Sequence, residues 1–185
     1  MKNDWKKAEK IIKEDGVVVL PTDTLYGIVG SALSKKVVKN IYNIKGRTEN
    51  KPFIVLINSY KQLKIFGIKL DKNQAKILKK FWPGKVSIIL SCTNKKFQYI
   101  HRGTKSIAFR MIGTKNKNLF NLIKKIGPIV APSANTEGGI PAKNITDARD
   151  YFGCRVDLYI SSGTNKSKPS KIIKYKDGKL IIIRK

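Results

Sequence analysis

The chain has 185 residues and carries 39 Lys plus Arg against 12 Asp plus Glu, a formal charge of +27 with a pI of about 10.2. That length suits one domain, 1–185, with a core that needs no disulfide staples. The longest apolar runs (Gly16–Leu20, Phe53–Ile57 and Leu180–Ile183) fall far short of the ~20 residues of a membrane span. The opening MKNDWKKAEKIIKEDG mixes charged and apolar residues at helical spacing and lacks a signal-peptide core. A soluble, cytoplasmic protein without membrane partners is therefore expected. Two distant cysteines, Cys92 and Cys154, and a single histidine, His101, make a poor basis for a multi-ligand His/Cys zinc site and exclude most His-dependent triads. Any catalysis falls to Lys, Arg, hydroxyls and backbone amides.

Apolar spacing predicts a helix over Trp5–Glu14 ended by Gly16, then a strand over Val17–Leu20 that stops at Pro21. A second helix follows Ser34 as N-cap and closes before Gly46, with Val37, Val38, Ile41 and Ile44 on one stripe. Next come a strand at Phe53–Ile57, a short helix after Ser59 and a longer one from Asp71 to Phe81. Trp82-Pro83-Gly84 is a turn signal. Strands are predicted at Val86–Ser91, Ile107–Met111, Ile129–Ala131 and Leu158–Ile160, and helices at Asn118–Ile126 and Thr146–Phe152. A terminal hairpin pairs Lys171–Tyr175 with Leu180–Arg184 across Asp177-Gly178. Ser161–Pro169 reads as a polar loop. Interleaved strands and helices point to one mixed α/β sheet with helices packed on it.

The charge is uneven. From Asn50 to Thr136 there are 18 Lys/Arg and one acid, Asp71. This density suits a polyanion such as RNA or nucleotide phosphates, and it equally suits lysines that merely solvate the surface.

Four segments carry more polar chemistry than a scaffold needs. Pro21-Thr22-Asp23-Thr24-Leu25-Tyr26-Gly27 leaves a buried strand, where side chains face a crevice; the alternative is a turn with Asp23 capping a helix. Lys45-Gly46-Arg47 with Lys51-Pro52 would clamp a triphosphate, or would simply complement a helix dipole. No P-loop or Rossmann pattern accompanies them. In Ser106-Ile107-Ala108-Phe109-Arg110, alternation places Ser106, Ala108 and Arg110 on one face, with Arg110 at an edge or aimed at a carboxylate or phosphate. Ala131-Pro132-Ser133-Ala134-Asn135 lets a ligand approach the backbone beside two hydrogen-bonding side chains, or is a loop and cap. His101, Cys92 and Cys154 have no neighbours in sequence that would activate them.

Taken in order, PTDTLYG (Pro21–Gly27), KGR (Lys45–Arg47) with KPFIVLI (Lys51–Ile57), FWPGKVSIIL (Phe81–Leu90), SIAFR (Ser106–Arg110), APSAN (Ala131–Asn135) and PSKII (Pro169–Ile173) resemble the YrdC-like family of threonylcarbamoyl-AMP synthases. The resemblance runs from Lys6 to Arg184 and matches the short, single-domain form. It implies a twisted mixed β-sheet with flanking helices and a concave basic cleft. It also implies an enzyme, a nucleotidyltransferase that makes threonylcarbamoyl-AMP and pyrophosphate from L-threonine, bicarbonate and ATP. Threonylcarbamoyl transferase complex proteins would take the product to tRNA, beside the anticodon, and tRNA itself is a further candidate partner. By position, Lys45 and Arg47 would be catalytic. Thr22, Arg110 and Ala131 would bind threonine, Arg110 through its carboxylate. Lys45, Arg47, Lys51, Ser106, Ser133, Asn135, Ala142, Ser170 and Arg184 would bind ATP. Magnesium would arrive on ATP oxygens, with no metal ligands from the chain. An Arg110→Ala change would raise the threonine requirement with the fold intact. Departures from the family pattern are Lys85 after the WPG turn, Thr48 after Arg47, Lys171 in the PSK segment, and Leu56 where some members carry His. The same charge also fits a non-catalytic module that binds double-stranded RNA or tRNA.

Overall fold

The computed structural model describes residues 2–48, 51–176 and 179–185. Helix α1 (Lys2–Lys13) leads into β1 (Val18–Pro21), and β2 (Tyr26–Ser31) returns antiparallel to it, with Leu20 opposite Gly27 and Pro21 opposite Tyr26. Helix α2 (Lys35–Lys45), β3 (Ile54–Ile57), α3 (Lys72–Phe81) and β4 (Val86–Ser91) follow. Then come α4 (Gln98–His101), β5 (Ser106–Met111), α5 (Lys117–Ile126), β6 (Ile129–Val130) and α6 (Ile145–Phe152). Strands β7 (Leu158–Tyr159), β8 (Lys171–Lys176) and β9 (Lys179–Arg184) end the chain.

All nine strands join one mixed sheet in the order β7-β1-β2-β6-β3-β5-β4-β8-β9. Pairs β7/β1, β3/β5 and β4/β8 are parallel and the other five are antiparallel. Side-chain alternation sends each strand to two cores. On one face Val18, Leu20, Val29, Leu56 and Ile129 meet Ala8 and Ile12 of α1 and Leu119, Leu122 and Ile123 of α5. On the other, Val19, Ile28, Val55, Ile57 and Phe109 meet Val37, Val38 and Ile41 of α2, Leu78 of α3, and Ala148 and Phe152 of α6. The expected α/β sheet with flanking helices is thus observed. No helix among the described residues is long and apolar enough to cross a membrane.

Helix α2 is fixed at both ends. The Ser34 hydroxyl accepts from Val37 N at 3.3 Å. At the other end Gly46, at φ 56°, lets its own N–H reach Asn43 O and lets Arg47 N reach Tyr42 O. This left-handed closure suits glycine and turns the chain sharply just after Lys45. Asp71 caps α3 with a reciprocal bond to Gln74, as its position in the sequence suggests.

Several expectations change. Strand β2 has no signal in the apolar pattern, because Gly27 and Gly30 interrupt it. Pro21 is the last residue of β1 rather than its stop. Its nitrogen faces the β7 side, where β7 has already ended at Tyr159, so no ladder bond is lost. The helix expected after Ser59 is a 3₁₀ turn, Tyr60–Phe66, with no side-chain cap. The segment Lys95–His101 contains a 3₁₀ turn and α4 that periodicity does not announce. The Asp177-Gly178 turn lies outside the described residues.

Gly30 is where α2 presses on the sheet: a Cβ there would sit 2.3 Å from Val37 Cγ1 and 3.3 Å from Ile41 Cδ1. Val37 is β-branched, buried and stiff. Gly30→Ala should therefore destabilise the fold by about 1–3 kcal/mol, read as a lowered denaturant midpoint with an unchanged slope.

Candidate functional site

The β1–β2 turn, the segment after β6, the C-terminal end of β5, the approach to β8 and the end of β9 meet around a cavity of about 120 Å³. Thr22, Arg110, Ala131, Ser133, Ser170 and Arg184 are among its lining residues, so six of the sequence-derived candidates converge.

The turn is built by its own hydroxyls. Thr22 Oγ1 donates to Leu25 O at 2.7 Å, and Thr24 N donates to Thr22 Oγ1 at 3.2 Å. Asp23 does not cap a helix. Its carboxylate lies 2.9 Å from an Arg110 NH2 nitrogen, and the two side chains are only 5% and 3% exposed. Burial works against the Arg110 charge, and the Asp23 carboxylate sustains it. Arg110 Nε has no hydrogen-bond partner among the described residues. The guanidinium of the third motif is therefore held from behind by the first motif, with donor capacity left over in the cavity wall. This ion pair also corrects the expectation for Arg110→Ala, because removing the guanidinium strands a buried carboxylate.

The Ala131–Asn135 segment continues the sheet beside β2. Ile28 N donates to Pro132 O, Ala134 N donates to Tyr26 O, and Gly27 pairs with Ser133. Ser133 Oγ donates to Asn135 Oδ1 at 2.6 Å, and Asn135 Nδ2 donates to Thr136 O and Gly139 O. Lys45 reaches this loop from the end of α2, donating to Ser133 O at 2.6 Å and to Asn135 O. It is 1% exposed. Burial first, and the neighbouring Arg47 charge second, push its pKa down to about 7. Asn135 and the buried Ala142, whose N–H donates to Ala134 O, stand behind the lining rather than in it.

Glu137 ties the second motif to this loop. Its carboxylate accepts from Thr48 N at 2.6 Å, Thr48 Oγ1 at 2.7 Å and Lys51 Nζ at 2.5 Å, while its N–H donates to Lys45 O. These bonds hold its pKa down at about 2. Arg47 donates from Nε to Lys51 O and lies over the Phe53 ring at 5.4 Å. Arg47 and Lys51 thus sit outside the cavity lining but are tied to its wall through Glu137.

On the opposite wall, Arg184 donates from Nε and NH2 to Ser170 O at 3.1 and 2.8 Å, and Ser170 Oγ lies 3.0 Å from Ser87 Oγ. The 161–169 loop passes over Tyr26 and Thr24. Tyr26 Oη donates to Gly163 O at 2.7 Å, and Asn165 Nδ2 donates to Thr24 O at 2.7 Å. Ser106 is not brought to the cavity: four residues before Arg110, it lies roughly 13 Å away along β5 and bonds Thr104. Lys85 and Lys171 are exposed outside the lining, joined by a bond from Lys171 N to Lys85 O, and Leu56 is buried in the core.

Sequence reasoning did not single out Glu137 or the Tyr26 hydroxyl. A signal for Glu137 existed, since it is the first acid after Asp71 in a strongly basic stretch. His101 is buried, with Nδ1 accepting from Gly103 N, and burial raises the thiol pKa of Cys92. A larger concavity of about 680 Å³, lined by Lys35, Lys95, Lys96 and Arg102 among others, lies near the start of α2, at the opposite end from Lys45. Among the described residues no three His, Cys, Asp or Glu side chains gather as a metal site.

Comparison with known proteins extends this picture. Residues 10–185 match the model of the Sua5/YciO/YrdC family, whose description reads "Telomere recombination". The chain is 31% identical to the threonylcarbamoyl-AMP synthase of Pyrococcus abyssi, over 88% of this chain and 48% of that protein. It is 34% identical to a putative threonylcarbamoyl-AMP synthase of Methanocaldococcus jannaschii, over 95% of this chain and 82% of that one. The crystal structure of P. abyssi Sua5 complexed with L-threonine superimposes with a TM-score of 0.88 at 27% identity, over 97% of this chain and 53% of that chain. The chain spans about half the length of the P. abyssi relative and of the Bacillus subtilis relative, 48% and 52%. Motif order, sheet and family model agree, and the chain belongs to the Sua5/YciO/YrdC family.

Proposed function

We propose that the protein is a cytoplasmic threonylcarbamoyl-AMP synthase that serves tRNA modification beside the anticodon. The observation that carries this reading is the buried Arg110, charged by Asp23 and keeping spare donor capacity in a small cavity also lined by Thr22, Ala131 and Ser133. A guanidinium fork matches a carboxylate. About 120 Å³ has room for an amino acid of threonine's size. The relatives' names and the threonine bound to P. abyssi Sua5 support the same reading.

In this reading threonine lies in the cavity with its carboxylate on Arg110. Its amine and bicarbonate lose water to form a carbamate, whose oxygen attacks the α-phosphorus of ATP and expels pyrophosphate. Such a transfer needs alignment and charge neutralisation more than a strong base. The triphosphate is assigned to the buried Lys45 and to Arg47 and Lys51 beyond it, which would form the basic cleft. The nucleotide is assigned to Ser133, Asn135, Ala142, Ser170 and Arg184, with Ser106 the most remote candidate. Asp23 and Glu137 are both engaged by cations, so magnesium would ride on ATP oxygens rather than on the protein. The threonylcarbamoyl group would pass to threonylcarbamoyl transferase proteins, leaving AMP.

A second reading adds RNA contact. The concavity holding Lys35, Lys95, Lys96 and Arg102 has no acid in its lining, which suits a phosphate backbone.

Pyrophosphate release should require ATP, threonine and bicarbonate together; release that ignores threonine would end the synthase reading. Arg110→Lys keeps the charge beside Asp23 but loses the fork, so the KM for threonine should rise about tenfold or more while that for ATP changes little. Arg110→Ala should instead cost roughly 3–5 kcal/mol of stability, seen in denaturant unfolding. Lys45 supplies a pH test. Its lowered pKa leaves the free amine mostly neutral at pH 8, and an adjacent phosphate raises that pKa. ATP binding at pH 8–8.5 should therefore take up protons, measured by calorimetry in buffers of different ionisation enthalpy, and the uptake should vanish below pH 6. Absence of uptake at pH 8 would remove Lys45 from the triphosphate.

A further inference from the structure

The three cations assigned to the triphosphate are engaged in different ways. Lys45 donates to the uncharged Ser133 O and Asn135 O, and Arg47 Nε donates to Lys51 O. Lys51 instead meets a full negative charge, its Nζ lying 2.5 Å from Glu137 Oε1. The other oxygen of that carboxylate, Oε2, accepts from Thr48 N at 2.6 Å and from Thr48 Oγ1 at 2.7 Å. A backbone N–H, a hydroxyl and an ammonium that converge on the oxygens of one anion are the donor set a phosphate takes. Glu137 therefore holds, from within the chain, donors that the outer part of a triphosphate would need.

The contact is of a kind that exchanges. The Lys51 and Glu137 side chains are 56% and 24% exposed, and an ion pair open to water is weak. The backbone of Glu137 is held separately, by the bond from its N–H to Lys45 O, so the carboxylate can turn to solvent by side-chain rotation alone. A phosphate arriving beside an unmoved carboxylate would meet a like charge; taking the carboxylate's place removes that repulsion. We propose that Glu137 is an internal stand-in for phosphate, holding the Thr48 and Lys51 donors in place and yielding them to the terminal phosphate of ATP. The inference rests on the assignment of the triphosphate to Lys45, Arg47 and Lys51. Its consequence is twofold. The donors are assembled before they are used, which limits the ordering that binding must impose. Departing pyrophosphate, in turn, meets a tethered competitor at high effective concentration, which favours its release.

The probes are ATP and AMP, titrated by calorimetry into the full chain at constant salt in EDTA, so that magnesium cannot bridge carboxylate and phosphate. Glu137→Gln should bind ATP about fivefold or more tighter than wild type, with AMP, which lacks the outer phosphates, bound equally by both. Loss of a negative charge also favours anions from a distance, and a double-mutant cycle with Lys51→Met separates that effect from exchange. Lys51→Met alone should shift ATP affinity by less than about twofold, because the lysine gives up one anion to take another. In the Glu137→Gln background it should cancel most of the gain. Weaker or unchanged ATP binding by Glu137→Gln would make Glu137 a strut and overturn the proposal, as would a gain that survives Lys51→Met. Those outcomes leave threonine-dependent pyrophosphate release, and with it the synthase reading, intact. ATP binding to neither wild type nor Glu137→Gln would overturn the exchange and the triphosphate assignment together.

Discussion

The buried contact between Asp23 and Arg110 organises the site. An arginine in the middle of a sheet, with apolar residues before and after it, is unfavourable unless its charge is answered within reach. The answer comes from a turn separated from it by 86 residues of chain. The sheet order makes this possible: β2 returns from the turn, β6 and β3 lie between it and β5, and the turn and the arginine come to the same end of the sheet. Without the pair, the β1–β2 turn would have no reason to hold a carboxylate under the cavity, and Arg110 no reason to stay ionised there.

A second buried cation does a related job with different partners. Lys45 meets two backbone carbonyls of the loop after β6 rather than an acid. The α2 C-terminus and that loop are thereby locked together, while burial and the nearby Arg47 charge loosen the ammonium's hold on its proton. Glu137 then fastens the next segment, from Thr48 to Lys51, onto the same loop. The site is thus a set of loops stitched to one another by charged side chains, on strands whose own packing is apolar apart from Arg110 of β5 and Ser87 of β4.

Much of this was legible in the sequence. Helices with strong periodicity and clear caps, such as α2 after Ser34 and α3 after Asp71, lie where the residues place them. So do the β-branched runs at Ile54–Ile57 and Ser106–Met111. Strand β2 was not legible, because its glycines answer to close neighbours rather than to strand propensity: Gly30 makes room for Val37 and Ile41, and Gly27 for Thr22 and Pro132 O. The motifs marked which side chains gather, but not how they are spent. Thr22, Ser133 and Asn135 use their polar groups largely to shape their own loops, and Lys45 binds carbonyls, acceptors that every residue has and no pattern reveals. Asp23 was visible as a polar residue in a conspicuous turn, yet its partner is non-local and only the sheet order identifies it.

The two ion pairs in and around the site differ in their contact with water. Asp23 and Arg110 are almost fully buried, whereas Lys51 and Glu137 are 56% and 24% exposed. Dissolved ions screen exposed charges over about 10 Å at 0.1 M and affect buried pairs far less. Ionic strength therefore acts on one half of the site and spares the other. Rising salt loosens the latch that holds the Thr48–Lys51 segment, while the arginine under the small cavity keeps its partner and its charge.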